Sequence, residues 1–102
     1  MKPLPQTSWT FLTDHALVLI QIWQWPNMTV RTIAERVGIS ERETHQILAE
    51  LVEEGYLTRR RVGRSNRYFV RPGRHLRHPQ VAHCEVGRLL KLLSPHPPRR
   101  DS

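Results

Sequence analysis

Apolar side chains recur three and four positions apart along successive stretches of the chain, and each stretch is bounded by residues that start or stop a helix. In the first, Ala16, Leu17, Leu19, Ile20, Ile22 and Trp23 follow Thr13 and Asp14 as capping residues and stop before Pro26. Apolar positions cover nearly the whole circumference, so this helix is expected to be buried on more than one side. The second runs from Thr29 as N-cap through Val30, Ile33, Ala34 and Val37 to Gly38, a residue suited to the left-handed position that ends a helix. Ser40 is the next cap. Glu43 three residues later completes a capping box, so a third helix starts at Glu41 at a sharp angle to the second. Its inward stripe is Ile47, Leu48, Leu51 and Val52, and Gly55 ends it.

Past Gly55 the pattern becomes extended. Leu57 to Val62, the turn-forming run Gly63, Arg64, Ser65 and Asn66, and the β-favouring run Arg67 to Val70 predict a hairpin. Arg59, Arg60 and Arg61 are consecutive, so at least one must occupy the face that is normally buried. A hairpin exposed on most of its surface satisfies that. A last helix is predicted from near Pro79 to Ser94, with Ala82, Val86, Leu89, Leu90 and Leu93 as its stripe. The order of elements is that of a winged helix-turn-helix: mainly α, with a β-hairpin wing and an additional C-terminal helix. The expected divisions are an N-terminal arm (1–12), the winged helix-turn-helix (13–78), the C-terminal helix (79–94) and a disordered tail (95–102).

The charge sharpens this picture. The 102 residues carry a formal net charge of +7 and a pI near 11.0, which point to a polyanion as partner. Between Leu57 and His78 stand Arg59, Arg60, Arg61, Arg64, Arg67, Arg71, Arg74 and Arg77 with no acid among them, while Glu50, Glu53 and Glu54 crowd the end of the third helix. Such segregation gives one strongly positive surface, as contact with a phosphate backbone requires. A membrane is the competing partner of a basic chain, but the longest apolar run, Ala16 to Ile20, falls far short of the roughly 20 residues that span a bilayer. Lys2 is followed by prolines rather than an apolar segment, so no secretory signal is expected. A single cysteine, Cys84, excludes an internal disulfide framework and fits a reducing cytoplasm.

In a helix-turn-helix the second helix of the motif enters the major groove. With Ile47, Leu48 and Leu51 inward, the candidates for contact are Ser40, Glu41, Arg42, His45 and Gln46. Arg42 suits guanine and Gln46 suits adenine in bidentate geometry. Glu41 suits cytosine or the helix N-terminus, Glu43 is explained by the cap, and His45 suits a phosphate, a base or plain solvent. In the wing, Arg64 and Arg67 flank Ser65 and Asn66, where they can enter a narrow minor groove, whereas Arg59, Arg60 and Arg61 are read as phosphate contacts. The apolar stripe Ala82, Val86, Leu89, Leu90 and Leu93 exceeds what a trihelical core can cover and is read as a dimer interface.

Other chemistry is weakly supported. His75, His78, His83 and Cys84 lie close in sequence, but they match no closed zinc pattern, and neighbours such as His83 and Cys84 on a helix point about 100° apart. No glycine-rich phosphate loop, apolar carboxylate pair or nucleophile with base and orienter is present, so neither an enzyme nor a metal or cofactor is expected.

The run from Thr29 to Val70, with its G-I-S turn, E-E-G-Y-L junction and arginine wing, together with Arg77, His78 and Pro79, resembles MarR-like and ArsR-like bacterial transcriptional regulators. The resemblance extends from Ala16 to Pro79. It implies a sequence-specific, homodimeric binder of double-stranded DNA that represses or activates promoters, working in the cytoplasm on the nucleoid. The cysteine pairs and Asp/His sets of metal-sensing ArsR-like proteins are missing here, as are the long dimerising helices of full MarR-like proteins. A nonspecific architectural DNA binder, or a winged helix that holds a protein through Trp23, Trp25 and the last helix, are the alternatives.

Overall fold

Each of the first three helices begins where a hydroxyl can take up an orphan backbone N–H. A computed structural model describes residues 9–95; the expectations for residues 1–8 and 96–102 lie outside them. Thr13 caps α1 (Asp14–Gln24) by accepting from the Ala16 N–H, and Thr29 caps α2 (Val30–Val37) by accepting from Thr32. Ser40 opens α3 (Glu41–Glu53) with the full capping box: its hydroxyl accepts from the Glu43 N–H at 3.0 Å, and the Glu43 carboxylate accepts from the Ser40 N–H at 3.3 Å. Gly38, at φ 88°, turns the chain from α2 into α3 within three residues. At the far end of α3, Gly55 has φ 84°; its N–H bonds to Val52 O, and the Tyr56 N–H bonds to Leu51 O. That double closure is a Schellman motif, and it drives Tyr56 into the core beside Leu51.

The wing is a two-stranded antiparallel hairpin, β1 (Leu57–Val62) with β2 (Ser65–Val70), in the register Leu57 opposite Val70 through Val62 opposite Ser65. Only Gly63 and Arg64 form the turn. Positive φ at Gly63 alone (62°) is the pattern of a two-residue II′ connection. Ser65 and Asn66 therefore belong to a strand, not to the expected four-residue loop. The two-residue turn is the one whose twist matches the strands on either side.

One core holds the helices and the base of the wing. Val18 and Ile22 of α1, Ile33 of α2, Ile47, Leu48 and Leu51 of α3, Tyr56 and Leu57 are buried together with Val86 and Leu90. α1 is buried on more than one side, with Val18, Leu19 and Ile22 inside and Leu17, Ile20 and Trp23 packed against the same cluster.

The C-terminal region differs from the expected single helix. Pro79–Val81 is a 3-10 turn whose first free N–H, on Gln80, is taken by His78 Nδ1; α4 is only Val86–Leu93. Between them the chain pairs with the strap that follows β2: Leu76 N–H to Cys84 O at 3.0 Å, Val86 N–H to Arg74 O at 2.8 Å and Gly87 N–H to Pro72 O at 2.9 Å. The last two bonds satisfy donors at the start of α4 that no side chain caps. A continuous helix from Pro79 would forfeit them. Ala82 thus lies outside α4, and Val86 and Leu90, at 2% and 1% exposed, are core residues of the single chain rather than a free face.

Candidate nucleic-acid interface

Burial decides which side of α3 is available. Thr44 is fully buried, its hydroxyl donating to Ser40 O at 2.9 Å, and Ile47, Leu48 and Leu51 point into the core. Glu41, Arg42, His45, Gln46 and Ala49 are exposed. Arg42, His45 and Gln46 make no hydrogen bond within the described residues, so their donors and acceptors face outward unspent. Ser40 is exposed, but its hydroxyl is committed to Glu43. The acids Glu41 and Glu43 in the first turn oppose a phosphate at the α3 N-terminus, which leaves the outward face of the helix as the candidate surface.

The register sorts the wing arginines. Side chains alternate across a sheet, so Leu57, Arg59 and Arg61 share a face with Asn66, Tyr68 and Val70, while Arg60 shares the other with Arg67 and Phe69. The first is the core-facing side: Leu57 is 2% exposed, and Tyr68 and Val70 pack on the core. Two of the three consecutive arginines thus lie on the inward face, where one at least was expected. They remain exposed because the hairpin runs on past the core. On the outer face the Arg60 guanidinium sits 5.5 Å from the Phe69 ring centroid. Arg60 stands directly opposite Arg67, a cross-strand pair of like charge. Arg64 occupies the tip, whereas Arg67 lies three residues into the hairpin and is half-buried.

The acids sit elsewhere. Glu50 accepts from or pairs with His15 at 2.7 Å, and Glu54 lies 3.6 Å from Arg77. Arg74 donates from Nε to Glu54 O at 2.9 Å and covers the Tyr56 ring, so this strap arginine secures the α3 terminus instead of joining the wing. The Tyr56 hydroxyl donates to His75 O at 2.7 Å; burial pushes its pKa above the ordinary 10.0, against the pull of Arg74 and Arg77. His75 Nδ1 bonds to Ala82 O at 2.7 Å, so His75 and His78 each spend a ring nitrogen on a backbone group of the segment from Gln80 to Ala82. Among the described residues no three His, Cys, Asp or Glu side chains are grouped to hold a metal, and no helix is long and apolar enough to cross a membrane.

Two hollows flank α3. A cleft of about 360 Å³ separates its N-terminal half from the wing, with His45 on one wall, Ser65 to Tyr68 of β2 on another, and Asn27 and Thr29 of the α1–α2 connection closing the end. Asn27 and Thr29 were not among the expected site residues, since only the folded path of β2 brings them beside α3. The other is an apolar groove of about 710 Å³ between α1, the end of α3 and α4, with Leu19, Leu76, Val81, Leu89 and Leu93 along it. Among the expected interface residues Leu89 is half-buried and Leu93 is 36% exposed; Leu92, not singled out from the sequence, is 81% exposed.

A helix-turn-helix whose outward face is polar, followed by an acid-free basic hairpin, defines a winged-helix DNA-binding protein. Residues 14–67 match the MarR family, from α1 into the third residue of β2. The match spans about half of the 102 residues, and the chain belongs to that family of transcriptional regulators. No curated protein matches it closely. The strap and α4 lie beyond the matched segment.

Proposed function

We propose that this regulator binds a specific inverted-repeat operator in double-stranded DNA as a homodimer, in the cytoplasm on the nucleoid. Residues 13–78 act as the DNA-binding unit. The observation that carries the reading is the pairing of two surfaces: Arg42, His45 and Gln46 unspent on α3, and Arg59, Arg60, Arg61 and Arg64 exposed on a wing without an acid. Base edges are read by side chains whose hydrogen-bonding groups are free, and the backbone is held by cations. Arg42 and Gln46 fill the first role. Arg59, Arg60 and Arg61 fill the second, with Arg64 entering the minor groove, Ser65 and Asn66 beside it, and Arg67 behind. Ser40 and Glu41 border the base-reading face at the helix start.

The pairing of protomers uses the outer edge of α4. Leu89, Leu92 and Leu93 offer apolar surface beside a groove that a single chain leaves open, and a two-fold axis there would let each copy cover the other. Val86 and Leu90 support that edge from inside the core. Two recognition helices would then meet successive major grooves about 34 Å apart.

Selection from random duplexes, paired with sedimentation at micromolar concentration, tests the reading. The expected outcome is an enriched inverted repeat bound at least roughly 10³ more tightly than random DNA by a protein of dimeric mass. Tight binding without an enriched motif would replace it with an architectural role. Absence of binding at low salt would leave a protein-interaction module. A monomer would remove the dimer.

A further inference from the structure

We infer that the cleft between α3 and the wing seats one phosphate of the DNA backbone, held by His45 from the helix and Asn66 from β2; this rests on the DNA-binding reading above. A helix in the major groove and an arginine tip in the neighbouring minor groove are separated, on any duplex, by one sugar-phosphate strand. That strand must pass over whatever lies between the two elements. In this protein it is the cleft of about 360 Å³ that His45, Asn66 and Asn27 line.

The position of His45 on α3 supports this. At 3.6 residues per turn, Gln46 lies about 40° to one side of Arg42, and His45 lies about 60° to the other. His45 is therefore at the margin of the exposed face, and it is the only residue of α3 that lines the cleft. Arg42 and Gln46 hold the middle and far side, where base edges would be. His45 is exposed, and neither its ring nor the Asn66 amide makes a hydrogen bond within the described residues. Each offers an N–H donor, and a phosphodiester oxygen accepts from both. Arg61 stands opposite Asn66 on the same face of the hairpin, with its Nε donating to Gly63 O at the wing tip. The lining combines apolar Ile22, Met28 and Ile33 with hydrogen-bonding groups on α3, β2 and the α1–α2 connection, so an anion can be held there by donors from two elements.

Tethering one phosphate from both elements would also fix the angle between wing and helix on the DNA, which neither contact alone would set. His45 thus acts on register and affinity rather than on base choice.

Phosphate ethylation interference on the duplex recovered by selection tests this, with wild type, His45→Ala, Asn66→Ala and Arg42→Ala. Ethylating one backbone position between the half-site and the wing's minor groove should block wild-type binding, and both His45→Ala and Asn66→Ala should become indifferent to it. Each should bind specific and random DNA roughly tenfold to a hundredfold more weakly, with the selected sequence unchanged. Arg42→Ala should keep the interference and lose preference at a base. A His45→Ala variant that keeps the interference, or that changes the selected bases, overturns the inference while leaving the DNA-binding reading intact. A wild type that binds no DNA overturns both. All three substituted side chains are exposed, and circular dichroism of each variant verifies that the fold persists.

Discussion

Leu90→Ala asks whether α4 is part of the domain or an appendage that waits for a partner. Leu90 is 1% exposed and shares one cluster with Val18, Ile22 and Leu57; Val86, one turn earlier, is 2% exposed. Because α4 is only eight residues long, these two side chains carry most of what anchors it. Truncating a fully buried leucine removes the transfer free energy of its outer carbons and leaves a cavity, together about 2 to 5 kcal/mol. Against a total of about 5 to 15 kcal/mol for a domain, that is a large share, and it should lower Tm by roughly 10 °C or more. Leu92, 81% exposed on the same helix, supplies the control, since Leu92→Ala should stay within about 0.5 kcal/mol in the isolated protomer. Urea unfolding followed by circular dichroism at protein concentrations a hundredfold apart is the assay. The Leu90→Ala loss should be the same at each concentration. A loss under about 1 kcal/mol, or one that vanishes on dilution, would refute the reasoning and assign Leu90 to an interface between copies.

Gly87 approaches Pro72 so closely that an added Cβ would lie 2.6 Å from the proline Cβ, so Gly87→Ala should cost about 1 to 3 kcal/mol in a thermal melt; an unchanged Tm would contradict the strap's placement. On the operator, Arg42→Ala and Gln46→Ala should each cost about 1 to 3 kcal/mol at defined base positions, while Arg61→Ala should weaken all sequences and make the salt dependence shallower by about one unit; equal losses on random DNA for all three would misassign the helix. Leu89→Glu, at the open edge of α4, should yield a folded monomer by sedimentation, with a large loss of affinity for an inverted repeat as the second contact ceases to be intramolecular. An intact dimer would move the interface elsewhere. For Tyr56, whose folded pKa is raised by burial, the unfolded chain ionises first: stability is complete below pH 10.0 and falls as pH climbs past it. Tyr56→Phe should flatten that alkaline fall in denaturant titrations, at the cost of about 1 kcal/mol for the bond to His75 O.

The helix-turn-helix was legible because its signals are local. Thr13, Thr29 and Ser40 cap over three residues, and Gly38 and Gly55 end helices through their own φ, so no distant contact was needed to place α1, α2 and α3. The C-terminal region was not, because its apolar period is consistent with one helix while its backbone bonds go well back along the chain, from Gly87 to Pro72, from Val86 to Arg74 and from Cys84 to Leu76. Ala82 was thereby drawn into a helix that does not contain it, and Val86 and Leu90, read as part of a dimer interface, are folded into the core of the single chain. The partners of Tyr56, and the placing of Asn27 beside His45, depend on the same tertiary path.

The wing shows how the arginines could be counted from sequence while their roles waited for the register. A six-residue strand is about 20 Å long, and β1 is anchored to the core only at Leu57. The remainder extends past the helices, which lets Arg59 and Arg61 lie on the inward face without being buried. Tyr68 and Val70 of β2 join Leu57 in holding the base of the hairpin, and Arg60 faces Arg67 farther out. In the proposed complex, phosphates would lie against the exposed arginines of the wing and offset their charge. The acids of α3 divide between its ends: Glu50 and Glu54 are tied to His15 and Arg77 at the end farthest from the cap, whereas Glu41 and Glu43 remain in the first turn, so on the proposed reading the only carboxylates of this helix near the duplex are those at its start.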